Sequence, residues 1–132
     1  MKTHVLDSSA LMTFFEDRPG AATVEELLAK AAEAKWPLLM SVVNWGEVYY
    51  SIWRTRGEAG ANEKLHEIAQ LPIEVIDADW GLTRVAARLK AERNLPYADC
   101  FAAALAQSRK AYLVTSDKDF GRVESILKIV WL

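Results

Sequence analysis

The sequence predicts an α/β fold: a three-layer α/β/α sandwich with a central parallel sheet of four to five strands, in one domain over residues 1–132. Apolar runs of strand length alternate with amphipathic segments of helix length, the order that builds parallel sheets with helical crossovers. All four prolines fall between these segments. Two strand-like runs end in an aspartate with hydroxyl neighbours, at the edge where such sheets bind ligands.

Apolar periodicity and capping residues place the elements in order. Ser41 and Asp79 stand where helices begin and are predicted to be N-caps. Gly57 and Gly60 interrupt a helical stretch and predict a turn between two helices. The predicted strands cover about residues 3–7, 38–40, 73–76, 111–114 and 128–131, and the predicted helices cover about residues 9–15, 21–35, 42–56, 61–71, 80–94 and 97–108.

Composition limits the classes of protein that this chain can belong to. No apolar run approaches the roughly 18 residues that a membrane span needs. The single cysteine, Cys100, excludes an internal disulfide and fits a reducing compartment, so we expect a cytoplasmic protein. The net charge is −2, but if five of the 18 acids share one site, the 13 others are outnumbered by 16 lysines and arginines. A polyanionic substrate is therefore compatible with the sequence.

Four carboxylates are expected to meet at one edge of the sheet. Asp7 and Asp117 follow strands whose carboxyl ends open on the same side, and Asp99 lies in the first turn of an alanine-rich helix. Glu47 lies about two helical turns after the second strand, so it can reach the same edge. Each acid alone could be a cap or a solvated helix residue. Together they would repel one another among apolar neighbours, where an unpaired charge is costly.

A hard divalent cation would relieve this repulsion. Mg²⁺ or Mn²⁺ takes oxygen ligands and retains several waters. His4 and His66 lack the spacing of a zinc site, and neither a glycine-rich phosphate loop nor a serine nucleophile elbow is present. An acidic site with such a cation is suited to phosphodiester hydrolysis.

Four motif regions, in this order, resemble a known family. They are residues 5–9 (VLDSS), Glu47 in the helix after the second strand, residues 97–99 (YAD) and residues 113–120 (LVTSDKDF). The set resembles a PIN domain, and the length of the chain is similar to that of the small bacterial and archaeal PIN-domain ribonucleases that act as toxins in VapBC toxin–antitoxin pairs. The resemblance spans essentially the whole chain.

The resemblance implies roles for these residues. Asp7, Glu47, Asp99 and Asp117 would be the acidic quartet that binds Mg²⁺ or Mn²⁺ and carries catalysis, and Asp119 would be an auxiliary acid. The implied activity is endonucleolytic cleavage of single-stranded or structured RNA, leaving 5′-phosphate and 3′-hydroxyl ends and, in a toxin, inhibiting translation. The implied assembly is a homodimer inhibited by a cognate antitoxin. Hydroxyl groups that would support metal, water or phosphate lie on Ser8, Ser9 and Thr115.

The helix over residues 42–56 has two different faces. One face is apolar and carries an aromatic stripe formed by Trp45, Tyr49 and Trp53. Core packing is one explanation of this stripe. Because the opposite face carries Glu47, we expect instead that part of the stripe forms a dimer or antitoxin surface. Val48 and Ile52 are expected to belong to the same surface.

Basic and aromatic residues near the acids are candidate RNA contacts. Arg54 shares the face of Glu47, and Lys118 and Arg122 follow Asp117, so each is a candidate phosphate contact or an ordinary surface charge. Tyr50 could stack on an unpaired base.

Two other classes of function remain possible from the sequence. A PIN-like module that binds RNA or protein without catalysis would be expected to lack one of the acids. A phosphoryl-transfer or receiver-like domain also uses acids at strand ends. The chain lacks the paired acids after the first strand that a receiver would have, and it lacks the Asp-x-Asp of haloacid-dehalogenase-type phosphatases.

Overall fold

A computed structural model describes residues 2–132 and contains one five-stranded sheet in which every neighbouring pair of strands is parallel. The α/β class and the strand number agree with the sequence prediction, which left the strand order open. The strands are β1 (His4–Leu6), β2 (Leu38–Ser41), β3 (Ile73–Ile76), β4 (Tyr112–Thr115) and β5 (Lys128–Trp131). Their order across the sheet is β3-β2-β1-β4-β5, so β1 and β4 lie side by side at its centre.

The helices are α1 (Ser8–Phe15), α2 (Ala21–Ala34), α3 (Val42–Ile68), α4 (Trp80–Arg93) and α5 (Tyr97–Arg109), and a 3-10 helix covers Lys118–Val123. Both predicted caps are confirmed. The Ser41 hydroxyl accepts from the Val43 amide at 3.2 Å, and the Asp79 carboxylate accepts from the Leu82 amide at 2.8 Å. Within residues 2–132, no helix is long and apolar enough to cross a membrane.

Helices cover both faces of the sheet, which gives the predicted three layers. Val5, Leu39 and Leu113 point to one face and pack in a core with α4 and α5. Leu6 and Val114 point to the other face and pack in a core with α1 and α2. Successive strand residues therefore alternate between two cores, as expected for a sheet buried on both sides.

Gly57 breaks α3 where the sequence predicts a turn. Its backbone has φ 72° and ψ 179°, a conformation open almost only to glycine. The chain is helical again directly after Gly57, so the predicted start near Ala61 is late, and α3 ends at Ile68 rather than near Leu71. Gly60 lies inside the second half of the helix.

The break folds the second half of α3 onto the apolar face of the first half. Ala61 and Ile68 pack against Val48 and Ile52, which are 1% and 5% exposed. The expectation that Val48 and Ile52 belong to a partner surface is therefore wrong, because the chain covers them itself. Of the aromatic stripe, Trp45 and Tyr49 are half-buried against this core, and Trp53 is 42% exposed.

We expect Gly57→Ala to lower the free energy of unfolding by about 1–3 kcal/mol, because an L-residue is strained at this φ and ψ. No atom lies within 4 Å of the added Cβ, so the loss would come from the backbone alone. Gly46→Ala is the matched control, since Gly46 is helical and equally open, and it should gain up to about 1 kcal/mol. Urea unfolding measures the free energy of unfolding of both variants. A Gly57→Ala variant as stable as the wild type would contradict the prediction that an L-residue is strained at this position.

Candidate active site

Asp7 stands at the carboxyl end of β1 and is 2% exposed. It is also the N-cap of α1: its Oδ1 accepts from the Ala10 amide at 2.8 Å and from the Ser9 hydroxyl at 2.7 Å. Its Oδ2 accepts from the Thr115 hydroxyl at 2.6 Å. In the sequence, capping and catalysis are alternatives for Asp7, whereas the geometry allows this residue to do both.

Burial raises the pKa of Asp7 to about 6. The hydrogen bonds from Thr115, Ser9 and the Ala10 amide act in the opposite direction, because they stabilise the carboxylate. The nearby charge of Asp117 adds to the increase. The protonation state of Asp7 therefore depends on its hydroxyl neighbours and on the charge of the site.

The loop after β4 brings Asp117 to the same edge as Asp7. Thr115, which is fully buried, accepts from the Asp117 amide at 2.9 Å with the same hydroxyl that donates to Asp7. The Ser116 amide donates to the Ser9 hydroxyl at 3.1 Å. Asp117 then caps the 3-10 helix by accepting from the Asp119 amide at 2.9 Å. These contacts are compatible with the supporting roles that were expected for Ser9 and Thr115.

Asp99 lies in the first turn of α5 and is 7% exposed. Burial raises its pKa to about 8, with further contributions from the charges of Asp117, Asp7 and Glu47. Carboxylate oxygens of Asp99, Asp117 and Asp119 lie within 4.8 Å of one another. Acids from β1, α3, α5 and the loop after β4 therefore interact at one edge of the sheet.

Glu47 is held by Asn44, a residue that was not predicted to belong to the site. The Asn44 side-chain nitrogen donates to Glu47 Oε1 at 2.9 Å and to the Ala98 carbonyl at 3.1 Å. Asn44 is fully buried although it is polar. The sequence shows that Asn44 lies one helical turn before Glu47. It does not show the contact with Ala98, because that residue is 54 positions further along the chain.

The donor set fits a hard divalent cation. Two buried side-chain oxygens lack a hydrogen-bond partner within residues 2–132, Asn44 Oδ1 and Asp99 Oδ2, and both belong to this site. A buried unpaired oxygen is costly unless a bound group satisfies it. The clustered carboxylates supply the oxygen ligands that Mg²⁺ and Mn²⁺ prefer.

A groove of about 320 Å³ opens beside the acids between α1 and α3. The predicted supporting residue Ser8 lies on its wall together with Ser9 and Glu47. The other lining residues are Met12, Glu16, Arg18, Ser51 and Thr55.

The predicted phosphate contacts lie at the surface. The Arg54 guanidinium carbon stands 4.9 Å from the centre of the Tyr50 ring, and Lys118 is exposed at the start of the 3-10 helix. Arg122 instead donates to the Asn94 carbonyl at 2.6 Å, which ties it to the end of α4. None of the three cations forms an ion pair with the acids in the described part of the chain.

We expect Ser9→Ala to raise the pKa of Asp7 above about 6, because the lost hydrogen bond stabilises the charged form. Ser8→Ala is the matched control, since the hydrogen bonds to Asp7 come from Ser9, Thr115 and Ala10. A carbon-detected NMR titration of the aspartate carboxyl groups in the metal-free protein measures the change. An Asp7 pKa that stays constant or falls in Ser9→Ala would contradict the assignment.

The metal-free protein should lose stability as the pH rises from about 4 to about 8. Asp7 and Asp99 have pKa values of about 6 and about 8 in the folded chain against 3.8 ordinarily, so the folded state holds their protons to higher pH. Their stabilising contribution is complete below pH about 4 and disappears as the pH passes the folded values.

Urea unfolding at several pH values, with chelator present, measures this slope. Asp99→Asn should flatten it, because the amide does not titrate, whereas Asp77→Asn, at an exposed position after β3, should keep it. Equal slopes in the wild type and Asp99→Asn would contradict the prediction.

Comparison with known proteins agrees with the resemblance. The chain matches the PIN domain family over residues 4–126. A search of curated protein sequences gives no match. Among solved structures, the fold is similar to DNA-bound VapBC from Salmonella typhimurium, with a TM-score of 0.77, 18% identity and 98% of each chain covered.

Two further structures have a similar fold. VapBC2 from Rickettsia felis, bound to a DNA fragment from its promoter, has a TM-score of 0.76 and 20% identity over 98% of each chain. VapC20 from Mycobacterium tuberculosis, described as a Sarcin-Ricin loop cleaving toxin, has a TM-score of 0.70 and 15% identity over 89% of this chain and 92% of that one. The family match extends over far more than half of the sequence, and this chain belongs to the PIN domain family.

Proposed function

We propose that this chain is a Mg²⁺-dependent endoribonuclease, active also with Mn²⁺, that cleaves single-stranded or structured RNA and is the toxin of a toxin–antitoxin pair that inhibits translation. The observation that carries the proposal is the meeting of carboxylates from separate segments at one sheet edge, with oxygens of Asp99, Asp117 and Asp119 within 4.8 Å. Burial raises the pKa of Asp99, and the charges of Asp117, Asp7 and Glu47 raise it further; a cation would relieve this repulsion.

In this proposal Asp7, Glu47, Asp99 and Asp117 hold the cation, and Asp119 assists. The bound cation would orient the scissile phosphate, lower the pKa of a water and stabilise the leaving oxygen. Burial and the neighbouring carboxylates raise the pKa of Asp99 and favour its protonated form, so Asp99 would lose this proton when a cation brings positive charge into the site.

The remaining site residues would orient the acids and the substrate. Ser9 and Thr115 keep Asp7 in one orientation through hydrogen bonds of 2.7 and 2.6 Å. The groove beside Glu47 presents hydroxyl groups that can contact a ribose–phosphate backbone, including that of Ser8. Arg54 and Lys118, which are exposed, are proposed as phosphate contacts.

The toxin assignment draws support from the structures with a similar fold. VapC20 from Mycobacterium tuberculosis is described as a toxin that cleaves the Sarcin-Ricin loop, and the Salmonella and Rickettsia structures are VapBC proteins. By analogy, we propose that a cognate antitoxin and a second copy of this chain are partners, and that the chain acts in the cytoplasm. The exposed Trp53, with the half-buried Trp45 and Tyr49, is the proposed partner surface.

Purified protein should cleave single-stranded RNA when Mg²⁺ or Mn²⁺ is present and should stop when a chelator is added. Asp99→Asn removes one oxygen ligand and should lower the cleavage rate at least about 100-fold, a change of about 2.7 kcal/mol in the barrier. Asp77→Asn is the matched control and should cleave at the wild-type rate, because Asp77 lies exposed after the edge strand β3.

The chemistry of the product ends provides a second check. Attack of water on phosphorus, with departure of the 3′ oxygen, leaves 5′-phosphate and 3′-hydroxyl ends, whereas attack by the RNA 2′-hydroxyl would leave a cyclic phosphate. Cleavage that resists chelation, or that Asp99→Asn performs at full rate, would refute the site. RNA binding without any cleavage would favour the non-catalytic PIN-like module.

A further inference from the structure

Asn44 contacts two of the segments that supply acids to the site. It lies in the first turn of α3, three residues before Glu47, and is fully buried. Its side-chain nitrogen donates to Glu47 Oε1 at 2.9 Å and also to the carbonyl of Ala98 at 3.1 Å. Ala98 immediately precedes Asp99 in the first turn of α5. One amide group therefore contacts a carboxylate of α3 and the backbone beside a carboxylate of α5.

These contacts leave little choice in the orientation of the amide. Both partners of the nitrogen are acceptors, a carboxylate oxygen and a carbonyl oxygen. With the amide turned over, the oxygen of Asn44 would face two other oxygens, and the nitrogen would lose both acceptors. The hydrogen-bond pattern thus fixes Nδ2 toward Glu47 and Ala98.

We propose that Asn44 is a positioning residue of the acidic site, which sets the placement of Glu47 relative to Asp99 before a cation binds. The inference rests on the proposed function and deepens it. Carboxylates that hold metals are themselves oriented by hydrogen bonds, and losing such a partner typically weakens metal affinity or activity by about 10–100-fold. Asn44 supplies this support to Glu47 and joins it to the backbone that carries Asp99.

The free oxygen of Asn44 agrees with this role. Asn44 Oδ1 is buried and accepts no hydrogen bond from the described residues, and the same holds for Asp99 Oδ2. A residue that served only to join α3 and α5 would leave this acceptor unsatisfied at a cost of about 1–3 kcal/mol. A water that enters the site with a cation would satisfy it.

The test compares Mn²⁺ affinity in the wild type and in Asn44→Leu, which keeps a similar side-chain volume without the amide. Calorimetry is performed well below the unfolding temperature of each variant, so that a loss of stability does not register as a loss of affinity. We expect Asn44→Leu to bind Mn²⁺ at least about tenfold more weakly. Asn62→Leu is the control on the same helix, because Asn62 accepts from the Tyr49 hydroxyl at 2.7 Å at the surface. It should bind Mn²⁺ like the wild type.

A double-mutant cycle separates positioning from general damage. In a Glu47→Ala background, Asn44→Leu should cost clearly less than in the wild type, because the carboxylate that it orients is gone. Affinity of a folded Asn44→Leu variant within about twofold of the wild type would overturn the proposal. An undiminished cost in the Glu47→Ala background would overturn it as well.

A readout without any cation distinguishes this inference from the proposed function. In the metal-free protein, the Asn44 side-chain amide protons should exchange with solvent more slowly than those of Asn62, and Glu47→Ala should accelerate them. If the wild-type protein shows this pattern but binds no Mn²⁺, the proposed cation site is contradicted, whereas the hydrogen bond between Asn44 and Glu47 is supported. Asn44 protons that exchange as fast as those of Asn62 would overturn the link itself.

Discussion

The hydrogen bonds to Asp7 are the interaction on which the rest of the site depends. They join the end of β1 to the start of α1 through Ala10 and Ser9, and to the end of β4 through Thr115. A buried carboxylate without such donors would cost several kcal/mol, so these contacts are a condition for placing an acid there at all. The same contacts hold the loop that carries Asp117, since Thr115 also accepts from the Asp117 amide.

Helix α5 fixes the position of Asp99 beside the other acids. Residues 99–106 are all buried, and five of these eight are alanine or cysteine, small enough for α5 to pack closely against the sheet and α4. Asp99 begins this buried stretch and is itself only 7% exposed. Burial raises the pKa of Asp99, the charges of Asp117, Asp7 and Glu47 raise it further, and a proton or a cation at the site relieves this repulsion.

The sequence predicted those parts of the structure that follow from local pattern and parallel topology. Asp7 and Asp117 could be placed together because the carboxyl ends of parallel strands meet at one edge. Asn44 was missed because its contact with the Ala98 carbonyl depends on how α3 crosses α5, which no local pattern encodes. Capping and a role in the site were alternatives for Asp7 in the sequence, but the structure allows both, because one carboxylate has enough oxygen lone pairs for several donors.

The expectation that Val48 and Ile52 meet a partner was wrong for a similar reason, because the residues that cover them lie outside the segment that the pattern describes. A helical wheel treats residues 42–56 as an isolated cylinder, so a face opposite Glu47 looks uncovered. The turn at Gly57 supplies the cover from the next part of the same helix, through Ala61 and Ile68. A glycine signals that the chain can turn, but the direction of the turn depends on φ and ψ, which the sequence does not specify.

The distribution of charge connects the fold to a polyanionic substrate. Without a cation, the acidic edge would repel a phosphate backbone, although the 13 acids outside the five site carboxylates are outnumbered by 16 lysines and arginines. A divalent cation at the edge would reverse the local sign where the scissile phosphate must approach. The overall charge of −2 therefore reports mainly the acids gathered at one place, and it says little about the surface that a nucleic acid would meet.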